Sequence, residues 1–219
     1  MRTLAILPIK SFADAKHRLA SELTPGPRRA LAEAMFSDVL TALRRARGVD
    51  DVLVVTMDHG AQQIAGGHGA MVLDDTEEGH NEAAVRGIEH AIEAEYDRVL
   101  LVPGDCPALD PMQLDALIGE PFEAPSVTIM PDRHGTGTNA LLLTPPGAIV
   151  PSFGPGSRER HVSVAHAAGA SVQVHDVPSL ALDVDTPEDL EALRVSLAAS
   201  HGGAAHTRGM LSQLMRSRA

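Results

Sequence analysis

Short apolar runs alternate with helical repeats along most of this chain. The segments 3–7, 51–56 and 98–102 are almost wholly apolar and too short for helices, which is typical of strands buried on both faces of a parallel sheet. Between them, apolar residues recur every three or four positions, most clearly over 27–47. This alternation predicts an α/β fold in which helices flank a mostly parallel sheet.

The remaining predicted elements continue the same alternation. Further strands are expected at 70–73, 127–130, 140–143 and 171–174, and further helices at 61–65, 81–95, 111–118, 157–168 and 187–199. The last helix has a capping hydroxyl at Thr186 and proline at its first helical position. No fixed-period repeat and no linker interrupts the series. We therefore expect one domain over 1–199, followed by a tail, 200–219, that is either poorly ordered or a docking helix.

The composition excludes several classes of function. The 219 residues include no Trp, one Tyr and four Phe, so aromatic platforms for single-stranded nucleic acid are not expected. A formal net charge of -11 also disfavours a polyanionic partner. The single cysteine, Cys106, excludes an intrachain disulfide, and no apolar run has the length of a membrane span or a secretory signal. We expect a cytoplasmic protein without nucleic-acid or membrane partners.

Three carboxylates stand where the chain leaves a predicted strand or enters a helix. Asp105 follows a Pro-Gly turn at the carboxyl end of 98–102, the edge at which open α/β sheets bind ligands. Asp183 and Asp185 lie one residue apart before the last helix. Carboxylate oxygens suit a hard divalent cation, so the sequence predicts a metal site for a phosphorylated substrate. Capping of a turn by Asp105, or of the helix by Asp185, is the alternative that needs no metal.

Basic residues gather in the loop after the first strand. Lys10 and Lys16, the only two lysines, lie there with Arg18. Such a loop can surround a triphosphate and neutralise the charge that builds on a leaving diphosphate, although a solvated basic loop is the simpler interpretation. The loops 132–139 and 153–161 resemble anion cradles, because glycines let backbone N–H groups approach an oxyanion. A hairpin turn and an ordinary helix cap are their alternatives.

Two common nucleotide-binding motifs are missing from the sequence. There is no G-x-x-x-x-G-K-[ST], and no G-x-G-x-x-G follows the first strand. This disfavours a phosphate-loop kinase and a dinucleotide-dependent dehydrogenase. No evident base accompanies Cys106, so we expect this thiol to pack in the core rather than act as a nucleophile.

The motifs that are present are specific as a set. They are P-x-K-x4-A-K-x-R-L, G-x-N-x-A, G-D-x-P-A-L, D-R-x-G-T-G-T-N-A-L, F-G-x-G-S-x-x-x-H and D-x-D-T-P-x-D-L. From Thr3 to about Leu193, the chain resembles the guanylyltransferases that activate 2-phospholactate or phosphoenolpyruvate in biosynthesis of the deazaflavin coenzyme F-420. The resemblance implies a Rossmann-like nucleotidyltransferase fold. It also implies Mg²⁺-dependent transfer of GMP from GTP to a small phosphorylated carboxylic acid.

The resemblance further implies roles for individual residues. The expected assignments are acceptor binding by Thr138, Gly154 and Ser157, metal binding by Asp105, Asp183 and Asp185, triphosphate binding by Lys10, Lys16 and Arg18, and nucleoside binding by Gly79 and Asn81. Lys16 and Asp105 are expected to be catalytic. His80 stands between the two nucleoside residues, where an apolar residue is more usual.

The acceptor is predicted to be phosphoenolpyruvate, which would give enolpyruvoyl-diphospho-guanosine and diphosphate. The Arg- and Ala-rich, Lys-poor composition is typical of a high-GC bacterial source, for which the resemblance points to that acid. 2-Phospho-L-lactate is the alternative acceptor, and a downstream transferase of the deazaflavin pathway is the one further partner that the resemblance suggests. A non-catalytic nucleotide-binding regulatory domain is the alternative of another class, and the presence of all three acids disfavours it.

Overall fold

A seven-stranded sheet forms the centre of the protein, whose computed structural model describes residues 1–76, 79–200 and 202–216. The strands are β1 (Thr3–Pro8), β2 (Asp51–Val55), β3 (Met71–Leu73), β4 (Arg98–Leu101), β5 (Ser126–Pro131), β6 (Thr138–Thr144) and β7 (Ser171–Val174). Their order across the sheet is β3-β2-β1-β4-β6-β5-β7. In the described residues β6 alone runs antiparallel to its neighbours, β4 and β5. The predicted mostly parallel α/β fold is confirmed.

Seven helices surround this sheet in the described part of the chain. They are α1 (Pro25–Arg45), α2 (His59–Gly67), α3 (His80–Glu93), α4 (Pro111–Ile118), α5 (Ser157–Ala167), α6 (Pro187–Ala199) and α7 (Ala205–Arg216). Helices α1, α2 and α4 pack on one face of the sheet, and α3 and α5 pack on the other. None of these helices has both the length and the apolar composition that a membrane span requires.

Alternating side chains of each central strand enter the two layers of the core. In β1, Ala5 and Leu7 pack against one set of helices, while Leu4 and Ile6 pack against the other. All four side chains are fully buried. Because successive side chains of a strand point to opposite faces, a sheet covered on both faces needs continuous apolar runs. This requirement explains why the central strands are readable in the sequence.

The chain beyond α6 returns to the domain. Helix α7 packs against α1, and Leu211 and Leu214 join a third apolar cluster with side chains of α1 and α6. The buried carboxylate of Asp38, in α1, accepts hydrogen bonds from the backbone N–H groups of His206 (3.1 Å) and Thr207 (2.7 Å). The first turn of α7 is therefore capped by a side chain of α1.

The topology brings the predicted site residues to one edge of the sheet. Asp105 lies just beyond the carboxyl end of β4. Because β6 runs antiparallel to β4, its first residue, Thr138, lies at that same edge. The loop that follows β1, with its two short 3₁₀ helices (Phe12–Asp14 and His17–Leu19), also begins there. This is the edge at which open α/β sheets bind ligands.

Candidate active site

A cavity of about 510 Å³ opens at this edge of the sheet. Its walls hold every residue that the sequence nominates for the metal and for the acceptor, together with Arg18 of the triphosphate set. The metal and acceptor residues are Asp105, Asp183, Asp185, Thr138, Gly154 and Ser157. Acidic groups and residues of the two anion-cradle loops therefore line one cavity, whose volume suits a small ligand.

Lys16 joins two of the three acidic residues. Its Nζ donates hydrogen bonds to Asp105 Oδ2 and to Asp185 Oδ1, the latter at 2.9 Å, and only 8% of its side chain is exposed. Burial opposes the charged ammonium, but the attraction and hydrogen bonds of the two carboxylates outweigh it and raise the pKa of Lys16. The lysine is thus the counter-ion of two of the three acidic residues. Its predicted contact with a triphosphate stays a prediction.

The backbone at Lys16 is adapted to that position. Its φ of 59° and ψ of 37° lie in the left-handed region, which is uncommon for a residue with a side chain. The residue precedes a short 3₁₀ helix, so the turn bends the loop back toward the carboxyl end of β4. The ion pairs with Asp105 and Asp185 hold the loop in this conformation.

Asp183 is the third acid of the group. Its Oδ1 accepts a hydrogen bond from Asn139 Nδ2 at 3.2 Å, and Asn139 also donates to the Leu180 carbonyl at 2.7 Å. Burial, with the nearby charge of Asp105, raises the pKa of Asp183. Within the described residues, no three His, Cys, Asp or Glu side chains form a ready-made metal cage.

The donor set nevertheless fits Mg²⁺. That ion prefers hard oxygen ligands and is usually held by one or two carboxylates together with substrate phosphates and water. Asp105 and Asp185 already converge on one cationic atom, Lys16 Nζ, and Asp183 lines the same cavity. Asp105, Asp183 and Asp185, here called the acidic edge, are therefore suited to hold positive charge. The cavity that they line leaves room for phosphate oxygens to complete a coordination shell.

The residues of the loops 132–139 and 153–161 form the anion-cradle wall of the cavity. Ser157 is the first residue of α5 and is fully buried, yet its Oγ has no hydrogen-bond partner among the described residues. Gly156 precedes it with a φ of 69° and offers no side-chain cap. Buried hydroxyls are normally paired, and helix N-termini attract anions, so this wall suits an anionic ligand.

Two residues missed by the sequence analysis support this wall. His161 is fully buried and lies 3.0 Å from Thr138 Oγ1 through its Nδ1. Arg133 lines the cavity and forms an ion pair of 2.6 Å with Asp189 of α6. Both belong to motifs already recognised, D-R-x-G-T-G-T-N-A-L and F-G-x-G-S-x-x-x-H. The spacing of four between Ser157 and His161 on one helix was the available signal for the histidine.

The two residues nominated for the nucleoside line different cavities. Gly79 lines one of about 370 Å³ together with Asp58 and with Lys10 of the triphosphate set, whereas Asn81 lines another of about 540 Å³. Residues 77–78 beside Gly79 lie outside the described part of the chain. Gly79 has a φ of 141°, a conformation that favours glycine. Asn81 instead binds the backbone of Phe153, accepting from its N–H at 2.7 Å and donating to its carbonyl at 3.4 Å. It anchors the loop that carries Gly154.

His80 and Cys106 complete the surroundings of the site. The ring of His80 lies edge-on to Phe153, with centroids 5.3 Å apart, and burial together with Lys10 lowers its pKa. Cys106 is fully buried, its Sγ contacts the Leu180 carbonyl at 3.5 Å, and burial raises its pKa. A buried thiol of raised pKa is a poor nucleophile, as expected from the sequence.

Comparison with known proteins identifies the family. The model of the family described as "Guanylyl transferase CofC like" matches residues 3–217. The phosphoenolpyruvate guanylyltransferase of Conexibacter woesei is 58% identical over 219 residues, covering 99% of this chain and 98% of the relative. The 2-phospho-L-lactate guanylyltransferase of Methanothermobacter thermautotrophicus is 36% identical, covering 98% and 92%.

A solved structure supports the fold independently. A protein from Desulfovibrio desulfuricans G20, described as a nucleotide-diphospho-sugar transferase, superposes with a TM-score of 0.78 at 17% identity and covers 99% of this chain and 98% of its own. The nucleotidyltransferase fold expected from the resemblance is confirmed. The family match runs past the Leu193 limit of that resemblance and includes α7. This chain belongs to the CofC-like guanylyl transferase family.

Proposed function

We propose that this protein transfers GMP from GTP to phosphoenolpyruvate and releases diphosphate. The observation that carries the proposal is the single cavity whose walls are an acidic edge and an anion cradle. Such a cavity suits a reaction between a triphosphate and a second phosphorylated acid. The choice of acceptor is supported by the 58% identical relative, which is named for phosphoenolpyruvate.

The chemistry needs no strong general base. A phosphate oxygen of phosphoenolpyruvate, already ionised at neutral pH, attacks the α-phosphorus of GTP. The new P–O bond forms as the bond between the α-phosphorus and the bridging oxygen breaks, and its electron pair leaves with diphosphate. Two anions must meet, so positioning and charge neutralisation supply most of the rate enhancement.

Each wall of the cavity has a proposed task. The hydroxyls of Thr138 and Ser157 and the N-terminal end of α5 hold the anionic groups of the acceptor. Lys10 and Arg18 neutralise the triphosphate. Asp105, Asp183 and Asp185 would hold Mg²⁺, which when bound supplies further neutralisation of phosphate charge. Lys16, whose ammonium lies beside Asp105 and Asp185, would neutralise charge on the leaving diphosphate.

The cradle alone does not select the acceptor. Phosphoenolpyruvate and 2-phospho-L-lactate both carry a phosphate and a carboxylate, and they differ in the planar or tetrahedral carbon between them. Contacts to the shared anionic groups are equal for both acids, so discrimination rests on a small apolar difference of about 1–3 kcal/mol. We therefore expect a preference for phosphoenolpyruvate with detectable turnover of 2-phospho-L-lactate. A downstream transferase of the deazaflavin pathway stays a predicted partner.

Diphosphate release tests the proposal directly. Purified protein is incubated with Mg²⁺, GTP or ATP, and each candidate acid, and the Asp105→Asn variant serves as the matched inactive control. We expect release that requires both GTP and phosphoenolpyruvate. A higher kcat/KM with 2-phospho-L-lactate would overturn the choice of acceptor but not guanylyl transfer. Binding of GTP without release in the presence of any acid would instead favour the regulatory-domain alternative.

A further inference from the structure

His161 connects two separate parts of the acceptor wall. It lies in α5 and is fully buried. Its Nδ1 is 3.0 Å from Thr138 Oγ1 at the start of β6, and its Nε2 is 2.9 Å from the backbone nitrogen of Ser152. The ring also lies edge-on to Phe153, with centroids 5.4 Å apart. One side chain thus contacts β6 and the loop that leads to Gly154.

These two contacts determine where the imidazole carries its proton. The backbone N–H of Ser152 can only donate, so Nε2 of His161 must offer its lone pair. A neutral ring with an unprotonated Nε2 carries its hydrogen on Nδ1. Burial and the charge of Arg160 lower the pKa of His161 to about 4, so the ring is neutral near pH 7. Nδ1–H therefore donates to the Thr138 hydroxyl oxygen.

The direction of this hydrogen bond determines what Thr138 offers to a ligand. A hydroxyl that accepts from His161 keeps its own proton for another partner. Within the described residues, Thr138 Oγ1 has no second hydrogen-bond partner, and the residue lines the 510 Å³ cavity. The free proton is thus available to an anion in that cavity. With the opposite tautomer, the hydroxyl would donate to the histidine and present only lone pairs to the ligand.

We propose that His161 is a positioning residue, which holds the Thr138 hydroxyl as a hydrogen-bond donor toward the anionic group of the acceptor. The inference rests on the proposed function for the identity of that anion. The hydrogen-bond network itself does not depend on it. A purely structural role, in which His161 only anchors the loop at Ser152, is the competing explanation.

Two conservative variants separate these roles. In His161→Asn the side-chain amide lies near the position of Nδ1, so it can donate to Thr138 but cannot reach Ser152. In His161→Gln the carbonyl oxygen lies near the position of Nε2, so it can accept from Ser152 but leaves Thr138 without its donor. Far-UV circular dichroism and thermal melting establish that both variants are folded before kinetics are compared.

The positioning role predicts a specific kinetic pattern. His161→Gln should raise the KM for phosphoenolpyruvate about tenfold, the effect of losing a hydrogen bond to a charged group, and leave the KM for GTP unchanged. His161→Asn should stay within about threefold of the wild type for both substrates. In a Thr138→Val background, His161→Gln should have no further effect, because the two residues act through one hydroxyl. The opposite order, with His161→Asn the more damaging, would establish loop anchoring and overturn the proposal.

A readout without turnover distinguishes failure of this inference from failure of the proposed function. In ¹⁵N NMR of the wild type, the His161 ring should show protonated Nδ1 and unprotonated Nε2, and titration with inorganic phosphate should shift the Nδ1 resonance in a saturable way. An Nε2–H tautomer, or no phosphate response, would overturn the inference even in an active enzyme. Both signals present in a protein that releases no diphosphate with any acid would support the inference and refute the proposed function.

Discussion

Replacing Lys16 by methionine tests how the acidic edge is held together. Methionine preserves most of the apolar stem of the lysine and removes the charge that contacts Asp105 and Asp185. Removing one partner of a fully buried ion pair costs about 3–5 kcal/mol, whereas an exposed pair contributes about 1 kcal/mol or less. The side chains of Lys16, Asp105 and Asp185 are 8%, 25% and 47% exposed. We therefore expect a loss of about 2–3 kcal/mol in the free energy of unfolding.

Lys10→Met is the matched control. Lys10 is the only other lysine, lies in the same loop and is exposed. Its replacement should change the free energy of unfolding by less than about 0.5 kcal/mol. Because the chain has no Trp, urea unfolding is followed by far-UV circular dichroism. Equal losses in the two variants, or a loss below about 0.5 kcal/mol for Lys16→Met, would refute the inference that this ion pair orders the loop.

Lys16→Met also tests the assignment of Lys16 to the triphosphate of GTP. Lys16→Met should weaken the use of GTP and leave the KM for the acceptor nearly unchanged. Kinetics are measured below the temperature at which the variant begins to unfold, so that lost stability is not counted as lost binding. A change confined to the acceptor would mean that the loop after β1 serves the other substrate.

Four further predictions follow from the structure. Asp105→Asn should reduce turnover at saturating Mg²⁺ by at least about a hundredfold. It should lower the free energy of unfolding by no more than Lys16→Met does, because Asp185 still pairs with Lys16, and turnover is measured below the temperature at which the variant unfolds. Near-normal turnover would exclude Asp105 as a metal ligand. Ser157→Ala should raise the KM for both candidate acceptors by about tenfold, since Ser157 Oγ is buried without a partner, and an effect on GTP alone would contradict its place in the cradle. Asp38→Ala should cost about 1–2 kcal/mol and expose α7 to limited proteolysis, because two backbone N–H groups lose their acceptor. Burial lowers the pKa of His161 from 6.5 to about 4, so between these pH values the unfolded state binds a proton that the folded state does not. The free energy of unfolding should therefore fall by about 2 kcal/mol from pH 7 to pH 5. In His161→Asn, this part of the pH dependence should be missing.

The secondary structure was readable because the central sheet is covered on both faces. Continuous apolar runs identify such strands with little competition from other patterns. The predicted helix at 111–118 and the predicted strand at 171–174 coincide with Pro111–Ile118 and Ser171–Val174. Helix α1 extends over Pro25–Arg45 rather than 27–47, because helix ends depend on local capping more than on periodicity.

The convergence of the site residues also follows from the sequence, through topology. The carboxyl ends of parallel strands share one edge, so a residue after β4 and residues near the start of a helix can meet there. The topology does not, however, determine which individual side chains contact each other. Asn81 binds the backbone of Phe153, and His161 binds Thr138, across 72 and 23 positions of the chain. Such pairs depend on distances in the folded protein, which neither the hydrophobic periodicity nor the motif spacing predicts.

Lys16 illustrates the physical reason for this limit. Its rarity in the chain and its place after β1 drew attention to the loop, and a ligand phosphate was the natural partner to expect. However, three carboxylates that share one edge repel each other whenever no ligand is bound, so the free protein must supply a counter-charge. The buried ammonium of Lys16 meets that need at Asp105 and Asp185. Assigning each charged residue to a substrate considers only the liganded state, whereas the same residues must also satisfy the stability of the unliganded fold.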